Sequence, residues 1–504
     1  MKKILSILLI STMLTGCSDW LDIRPKDLQY TADFWKSKED VEAMLASAYS
    51  DMRTISERLF IWSELRGSSV NSQDANNRYV QNFQLSPDKG LCHWKQIYNI
   101  LNLANSVIKY APDVCEIDDT YTLGTMQSHQ AEAYFLRSLM NFYLVRIWCE
   151  APLVTEPYID DSQPFAIAKS SEAVIIEQIK TDIRAALATG SAKEHYDNER
   201  WEASKGRATK WALYALMADV CLWSEDYDEC IVYSDLLINA DATWRPVFMT
   251  NSAQWFEMFD PGNSNESIFE INWSVTMGQV KDSPYGYIGM TNVLYHFSGT
   301  MSDRLREETM QAQIAQREPI RGLYGSYNNG GLSSGDRFSY YIYKYQGGVT
   351  KGIIRDVASA NFIIYRMADV MLMKAEALVW KGGEDNFRQA MDIVNQIRVR
   401  ANLSEIIVSD FALVTESTML QIILHERDME FAAEGKRWFD LLRFGKSKDF
   451  KYKSEFIDII LENNESANAT WLRSTLRNNW AWYLPVSNEE LEVNNLLIQN
   501  SYYR

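Results

Sequence analysis

From residue 92 to 240, and again from 360 to 445, apolar residues return at intervals of three and four. That spacing sets one face of an α-helix against a core. The stretches "CHWKQIYNILNLANSVIKYA" (92–111), "HQAEAYFLRSLMNFYLVRIW" (129–148) and "TMLQIILHERDMEFAAEG" (418–435) each predict one such helix. Two longer stretches each predict a pair. In "RATKWALYALMADVCLWSEDYDECIVYSDLLINA" (207–240), Ala212, Ala215, Ala218 and Leu222 share a face, Ser224 to Asp226 turn the chain, and Tyr227, Cys230 and Tyr233 resume the period. In "YRMADVMLMKAEALVWKGGEDNFRQAMDIVNQIRVRAN" (365–402), a helix ends at Trp380, Gly382-Gly383 breaks it, and Phe387, Ala390, Ile393 and Ile397 follow. An aromatic opens each second helix, and a small residue stands three positions later.

These hairpins resemble the tetratricopeptide unit, in which small residues let two helices approach closely. Such a unit cannot bury its face alone and must stack on a neighbour. The two hairpins begin about 160 residues apart, so they predict a discontinuous α-solenoid with a large insertion. The insertion, 241–360, holds 13 of the 23 glycines and 18 of the 63 aromatics, with "DRLREETMQAQIAQ" (303–316) its one long amphipathic stretch. "YGSYNNGGLSSGDRFSYYIY" (324–343) reads as loops and short strands, and "ELRGSSVNSQDANNRYVQNFQLSPDKG" (64–90) is a second loop-rich stretch. Loops on a rigid frame are where binding residues usually sit. The expected fold is mainly α, one domain over 17–504: a helical scaffold at 30–60, 92–240 and 360–445, with irregular, short-strand binding portions at about 61–91 and 241–360.

Ahead of this lies an apolar run, Ile4 to Leu14, just after Lys2 and Lys3. A helix needs roughly 20 apolar residues to cross a bilayer, so this run is too short. A basic start, a short apolar centre and small residues before a cut make a secretory signal peptide, residues 1–16. Leu14-Thr15-Gly16-Cys17 resembles the lipobox of bacterial lipoproteins, which implies acylation of Cys17 as the first mature residue. Several acyl chains on one residue hold a protein at a membrane where a single chain does not.

Loss of residues 1–16 removes two lysines and no acid, leaving 48 basic against 67 acidic side chains, a net charge of −19. Nucleic acid is thereby excluded as a partner, because phosphate neutralisation supplies most of that affinity. Cys92, Cys115, Cys149, Cys221 and Cys230 are an odd, sparse set among apolar neighbours, which predicts buried thiols rather than a disulfide framework. His93, His129, His195, His296 and His425 show no ligand spacing, and no phosphate-binding glycine loop is present. No metal or organic cofactor is indicated; a structural calcium ion on loop carboxylates is compatible with the composition but marked by no motif.

Five motifs then stand in order: "CSDWLDIRPKD" with "FWKSKEDVEAMLASAYSDMR", "AEAYFLRSLMNFYLVRIWCEAPLV", "YRMADVMLMKAEAL", "HERDMEFAAEGKRWFDLLRFGK" and "YLPVSNEELEVNNLLIQNSYY". Through them the whole mature chain resembles the SusD/RagB lipoproteins of Bacteroidetes. The resemblance implies a non-catalytic, lipid-anchored outer-membrane protein, exposed at the cell surface. Such a protein captures glycans and caps a SusC-like TonB-dependent barrel for import. Some relatives serve peptide uptake, so a RagB-like peptide receptor is the alternative within this class.

The motif "HERDMEFAAEGKRWFDLLRFGK" does not mark chemistry. A zinc protease needs a second histidine four residues after His425, and Met429 stands there. Glu426, Arg427, Glu430, Arg437 and Asp440 are expected to pair between helices, and Trp94 and Tyr98 to pack. An exported helical glycoside hydrolase would need an acid and a second carboxylate about 5 to 10 Å apart, and no such pair is marked. For glycan capture, flat aromatics meet the C–H faces of sugar rings and planar polar groups meet the hydroxyls. The candidates are Trp273, Tyr285, Tyr287, Tyr295 and Tyr324 in the insertion, and Asp74, Asn76, Arg78 and Tyr79 in the first loop region, with Trp273 and Tyr79 foremost.

Overall fold

The computed structural model describes residues 34–504 except 160–162, 197–202, 280–281, 289–293, 329–339 and 466. The signal segment 1–16 and Cys17 lie outside the described residues. The first helix, α1 (Lys38–Phe60), starts where the Asp40 carboxylate accepts from the Ser37 backbone N–H at 2.8 Å. Residues 61–65 do not leave the helix as a loop but continue it as one wide π-helical turn, because Ile61, Trp62 and Leu65 are all buried. Helices α2 (Lys95–Ile117) and α3 (Leu123–Trp148) follow, packed α1 on α2 and α2 on α3, and α4 (Glu172–Ala188) lies against α3. Almost every side chain of α3 from Ala131 to Trp148 is buried, and a helix apolar all round belongs in the centre of the molecule. Its charges survive there by pairing: Arg137 holds Asp182 at 2.6 Å and Arg146 holds Asp219 at 3.2 Å.

The two hairpins form as the spacing predicts, α5 (Lys210–Trp223) with α6 (Tyr227–Ile238), and α8 (Met367–Lys381) with α9 (Glu384–Arg400). Gly382 and Gly383 take φ of +76° and +93° at the second turn, a conformation open to glycine. The hairpins stack across the insertion, α6 against α8. Tyr227 and Trp380 lie in near-parallel planes with centroids 6.0 Å apart, and Lys374 bonds Asp235 at 2.6 Å. The solenoid is thus continuous in space although broken in sequence. Cys92, Cys221 and Cys230 are buried, and all five described cysteines are free thiols.

The insertion carries α7 (Gly299–Ile314) and short strands. Strands β2 (Ser267–Ile271) and β6 (Phe362–Arg366) pair antiparallel where the insertion meets α8. Strands β1 (Val70–Ser72), β3 (Tyr295–Phe297), β4 (Tyr327–Asn328) and β5 (Tyr341–Ile342) form a second sheet in the order β1-β3-β5-β4. Helices α10 (Glu416–Glu430) and α11 (Arg437–Phe450, leaving helical geometry at Ser447–Asp449) lie under the insertion. Buried ions fasten it: Arg321 meets Glu426 at 2.7 Å, Arg366 meets Glu430 at 2.6 Å and Lys344 meets Glu434 at 2.6 Å. Within the same motif Arg427 bonds Asp440 at 2.8 Å, and Arg437 lies 3.3 Å from Asp428. The charged motif is a structural joint.

Helices also run past residue 445, in α12 (Lys453–Asn463), α13 (Ala469–Leu476) and the short α14 (Asn488–Val493). The C-terminal strap then returns to the end of α3, with Leu484 N–H donating to Ile147 at 2.8 Å and the Trp148 indole donating to Pro485 at 3.1 Å. Among the described residues no helix is long and apolar enough to cross a membrane.

Candidate functional site

Strand β1 belongs to the first loop region and β3 to the insertion, so their pairing joins two segments more than 200 residues apart. The register is Val70 to Phe297, Asn71 to His296 and Ser72 to Tyr295, and the Gln73 N–H extends it by donating to Leu294 at 2.8 Å. Alternation along β3 turns Tyr295 inward. There its ring packs on Phe60 at 5.2 Å, its hydroxyl donates to Glu57 at 3.0 Å, and the Asn77 amide donates to it at 3.0 Å.

Just beyond β1 the chain makes a polar turn. The Asp74 carboxylate accepts from the Asn76 N–H at 2.8 Å, and the Arg78 guanidinium donates to the Gln73 carbonyl at 3.3 Å. Asn76 and Arg78 are exposed, while Asp74 and Tyr79 are half-buried. The Lys89 ammonium stands 5.5 Å from the Tyr79 ring centroid, so one ring face already has a cation near it. Glu57 lies below this turn. Burial raises its carboxyl; the hydrogen bond from Tyr295 opposes that, and the neighbouring charges of Asp74 and Asp282 add to it. Residues 74, 57 and 282 therefore share one electrostatic neighbourhood, which links the turn to the segment carrying Tyr285.

The candidates thus separate. Asp74, Asn76, Arg78 and Tyr79 form one surface, whereas half-buried Tyr285 lies within electrostatic reach of Arg355 in the insertion. Tyr295 is completely buried and Tyr287 packs at 6.3 Å on Phe60, so both fasten the loops from beneath instead of facing a ligand. Trp273 is likewise corrected from exposed platform to packing residue: it is 8% exposed, its N–H donates to Asn361 at 3.3 Å, and its indole nitrogen has no partner among the described residues. Tyr324 stands apart, edge-on to Tyr343 at 5.6 Å in an aromatic group that includes Phe256. Glu57, Asn77 and Lys89 are missing from the sequence reading. Asn77 and Lys89 sit in the same loop stretch, but nothing in a helical residue such as Glu57 signals a tyrosine partner 238 positions away.

The clefts of about 700 and 670 Å³ lie on the helical scaffold, not at these loops. One group among the described residues, Cys221, Asp226 and Glu229, brings three possible metal-ligand atoms within 4.8 Å of one another. Lys180 holds Asp226 at 3.3 Å and Arg184 holds Glu229 at 2.8 Å, so its charge is already balanced by protein.

Two family models match in succession, one described as starch-binding and associating with the outer membrane over residues 19–222, and the SusD family model over residues 265–503. The protein belongs to the SusD/RagB family. Similar relatives include SusD-like protein P2 of Formosa agariphila, 27% identical with 88% of this chain and 90% of the relative covered. A SusD-like protein of Bacteroides ovatus is 25% identical, with 88% and 82% covered. Among solved structures, a SusD superfamily protein of Bacteroides thetaiotaomicron superposes with a TM-score of 0.73 at 20% identity, over 93% of this chain and 99% of its own. A laminarin-binding SusD-like protein gives 0.67 at 19% identity, over 93% and 100%. This SusD-family chain is accordingly a non-catalytic, glycan-binding protein of the outer membrane.

Proposed function

We propose that the protein captures oligosaccharide on the loop surface built by Asp74, Asn76, Arg78 and Tyr79, and passes it to a SusC-like TonB-dependent barrel that it caps. It does so from the cell surface, held there by acyl chains on Cys17. The observation that carries this reading is the β1–β3 pairing, which anchors to the insertion the turn that carries half-buried Tyr79 and exposed Asn76 and Arg78. Tyr79 offers a C–H-binding face, and Arg78 and Asn76 offer donors and acceptors to ring hydroxyls. Family membership supports the class of ligand, and the lipobox-like Leu14-Thr15-Gly16-Cys17 supports the tether.

Expression of the full chain and of Cys17→Ala in a Bacteroidetes host tests the finer claims. The wild type should fractionate with the outer membrane, be shaved from intact cells by protease and co-purify with a TonB-dependent barrel, whereas Cys17→Ala should be released. A wild type resistant to protease on intact cells, or recovered without a barrel, contradicts the proposal. Competition of glycan binding by peptides at the same site would move the reading to peptide capture.

A further inference from the structure

The cleft of about 700 Å³ lies between the first turns of α2, residues 152–159 with 165–167, and α14, with volume in the range of small-ligand pockets. Its walls are fixed by side chains of α2. The Tyr98 hydroxyl donates to Pro152 at 2.7 Å, and Asn105 donates to Val154 at 3.1 Å. Asn102 grips Tyr158 at both ends, accepting from its N–H at 2.7 Å and donating to its carbonyl at 3.3 Å. On the far side Asn494 donates to Ile167 at 2.9 Å. Three elements distant in sequence are thus tied into a preformed hollow, at the cost of most of the polar groups α2 presents on that face.

What is left over lines the hollow. Phe165 is 63% exposed at the rim, and its ring runs parallel to that of Tyr158, 7° between planes and 6.4 Å between centroids. Tyr158 is held in turn by donating to Pro164 at 3.0 Å. Asn99, Lys95 and Glu490 line the same cleft, and none has a side-chain hydrogen bond or ion pair among the described residues. Parallel, oriented aromatic faces beside an unspent amide, ammonium and carboxylate match the C–H faces and hydroxyl rim of a pyranose. A peptide captured by strand addition would need an unpaired strand edge, and the described walls are helix faces and loop.

We infer that this cleft is a second carbohydrate-binding site, separate from the loop surface, taking a short neutral oligosaccharide against Tyr158 and Phe165. It stands on its own geometry and does not depend on the loop site being occupied. Phe165 and Asn99 are exposed and make no structural hydrogen bond, so their alanine variants keep the fold.

The test is calorimetric titration of the mature chain, and of Phe165→Ala, Asn99→Ala and Tyr79→Ala, with maltohexaose, laminarihexaose, cellohexaose, xylohexaose and mannohexaose. The expected result is an isotherm with two classes of site for one of these sugars. Phe165→Ala and Asn99→Ala should each raise the Kd of one class about tenfold, the scale of losing one stacking contact, and leave the other unchanged. Phe165→Tyr should retain both. Isotherms insensitive to both cleft variants but weakened by Tyr79→Ala overturn the second site and leave the loop site standing. Sensitivity to the cleft variants alone upholds the cleft and removes the loop site. No binding by any sugar at millimolar concentration overturns both, and an amphipathic helical peptide that binds in a Phe165-dependent way without sugar competition overturns the carbohydrate assignment.

Discussion

Glu430 is wholly buried and accepts from Arg366 and Arg400 at 2.6 Å each and from Arg321 at 3.2 Å. Burial opposes its ionisation, but the guanidiniums of Arg400, Arg366 and Arg321 overcome that and hold its carboxyl well below the usual range. Glu430→Ala would remove the carboxylate that all three guanidiniums share, leaving excess buried positive charge beside Glu266, Glu308, Glu426 and Glu434, so a loss of about 3 to 5 kcal/mol in denaturant unfolding is expected. Glu64 is the opposite case. It accepts from the backbone N–H groups of Gly435 and Lys436 at 2.7 and 2.9 Å, yet burial prevails and its carboxyl rises from 4.5 to about 7. The folded protein therefore binds a proton at Glu64 more readily than the unfolded chain does. Stability from this group rises as pH falls from about 7 to 4.5 and is lost as pH rises through that window. Glu64→Gln should flatten the slope of unfolding free energy against pH there by up to about one proton; an unchanged slope would refute this.

At the scale of elements, α11 and α12 meet at Gly445, where an added Cβ would stand 2.7 Å from the Phe456 ring. Gly445→Ala should cost about 1 to 3 kcal/mol by thermal unfolding, because the ring is itself packed against Trp438 and Trp482. The helical pairs were legible in the sequence for the same reason: close helix crossings demand small residues at fixed spacing, as Cys230 and Ala390 show. Less legible were the helical turn of 61–65 and the helices beyond 445. Their apolar residues are buried against distant segments, so a local period does not announce them. Site aromatics were harder still. Tyr79 and Tyr295 sit in similar polar, turn-rich stretches, and only the tertiary structure decides that Tyr79 stays half-buried in the turn after β1 while Tyr295, paired with Ser72 in the β1–β3 register, reaches Glu57. Tyr295→Phe should loosen that joint, with about 1 kcal/mol lost and amide exchange accelerated through 70–79.

For the molecule as a whole, the solenoid is closed from both sides. Arg366 and Arg321 draw the insertion onto α10, and the C-terminal strap returns to Trp148 through Leu484 and Pro485. A rigid frame of this kind suits a protein that must present loops without catalysing anything, since its work is to hold a ligand surface in place at the outer membrane. Its acidic balance, −17 for the full chain, favours neutral over anionic glycans through long-range repulsion. The proposed function places sugar on the loop surface at Tyr79. The most direct test is the ratio of dissociation constants for the best-bound neutral hexasaccharide between the mature wild type and Tyr79→Ala. A rise of about tenfold in a variant that still folds cooperatively is predicted, the scale of one lost aromatic contact. Equal affinities with intact folding would contradict it.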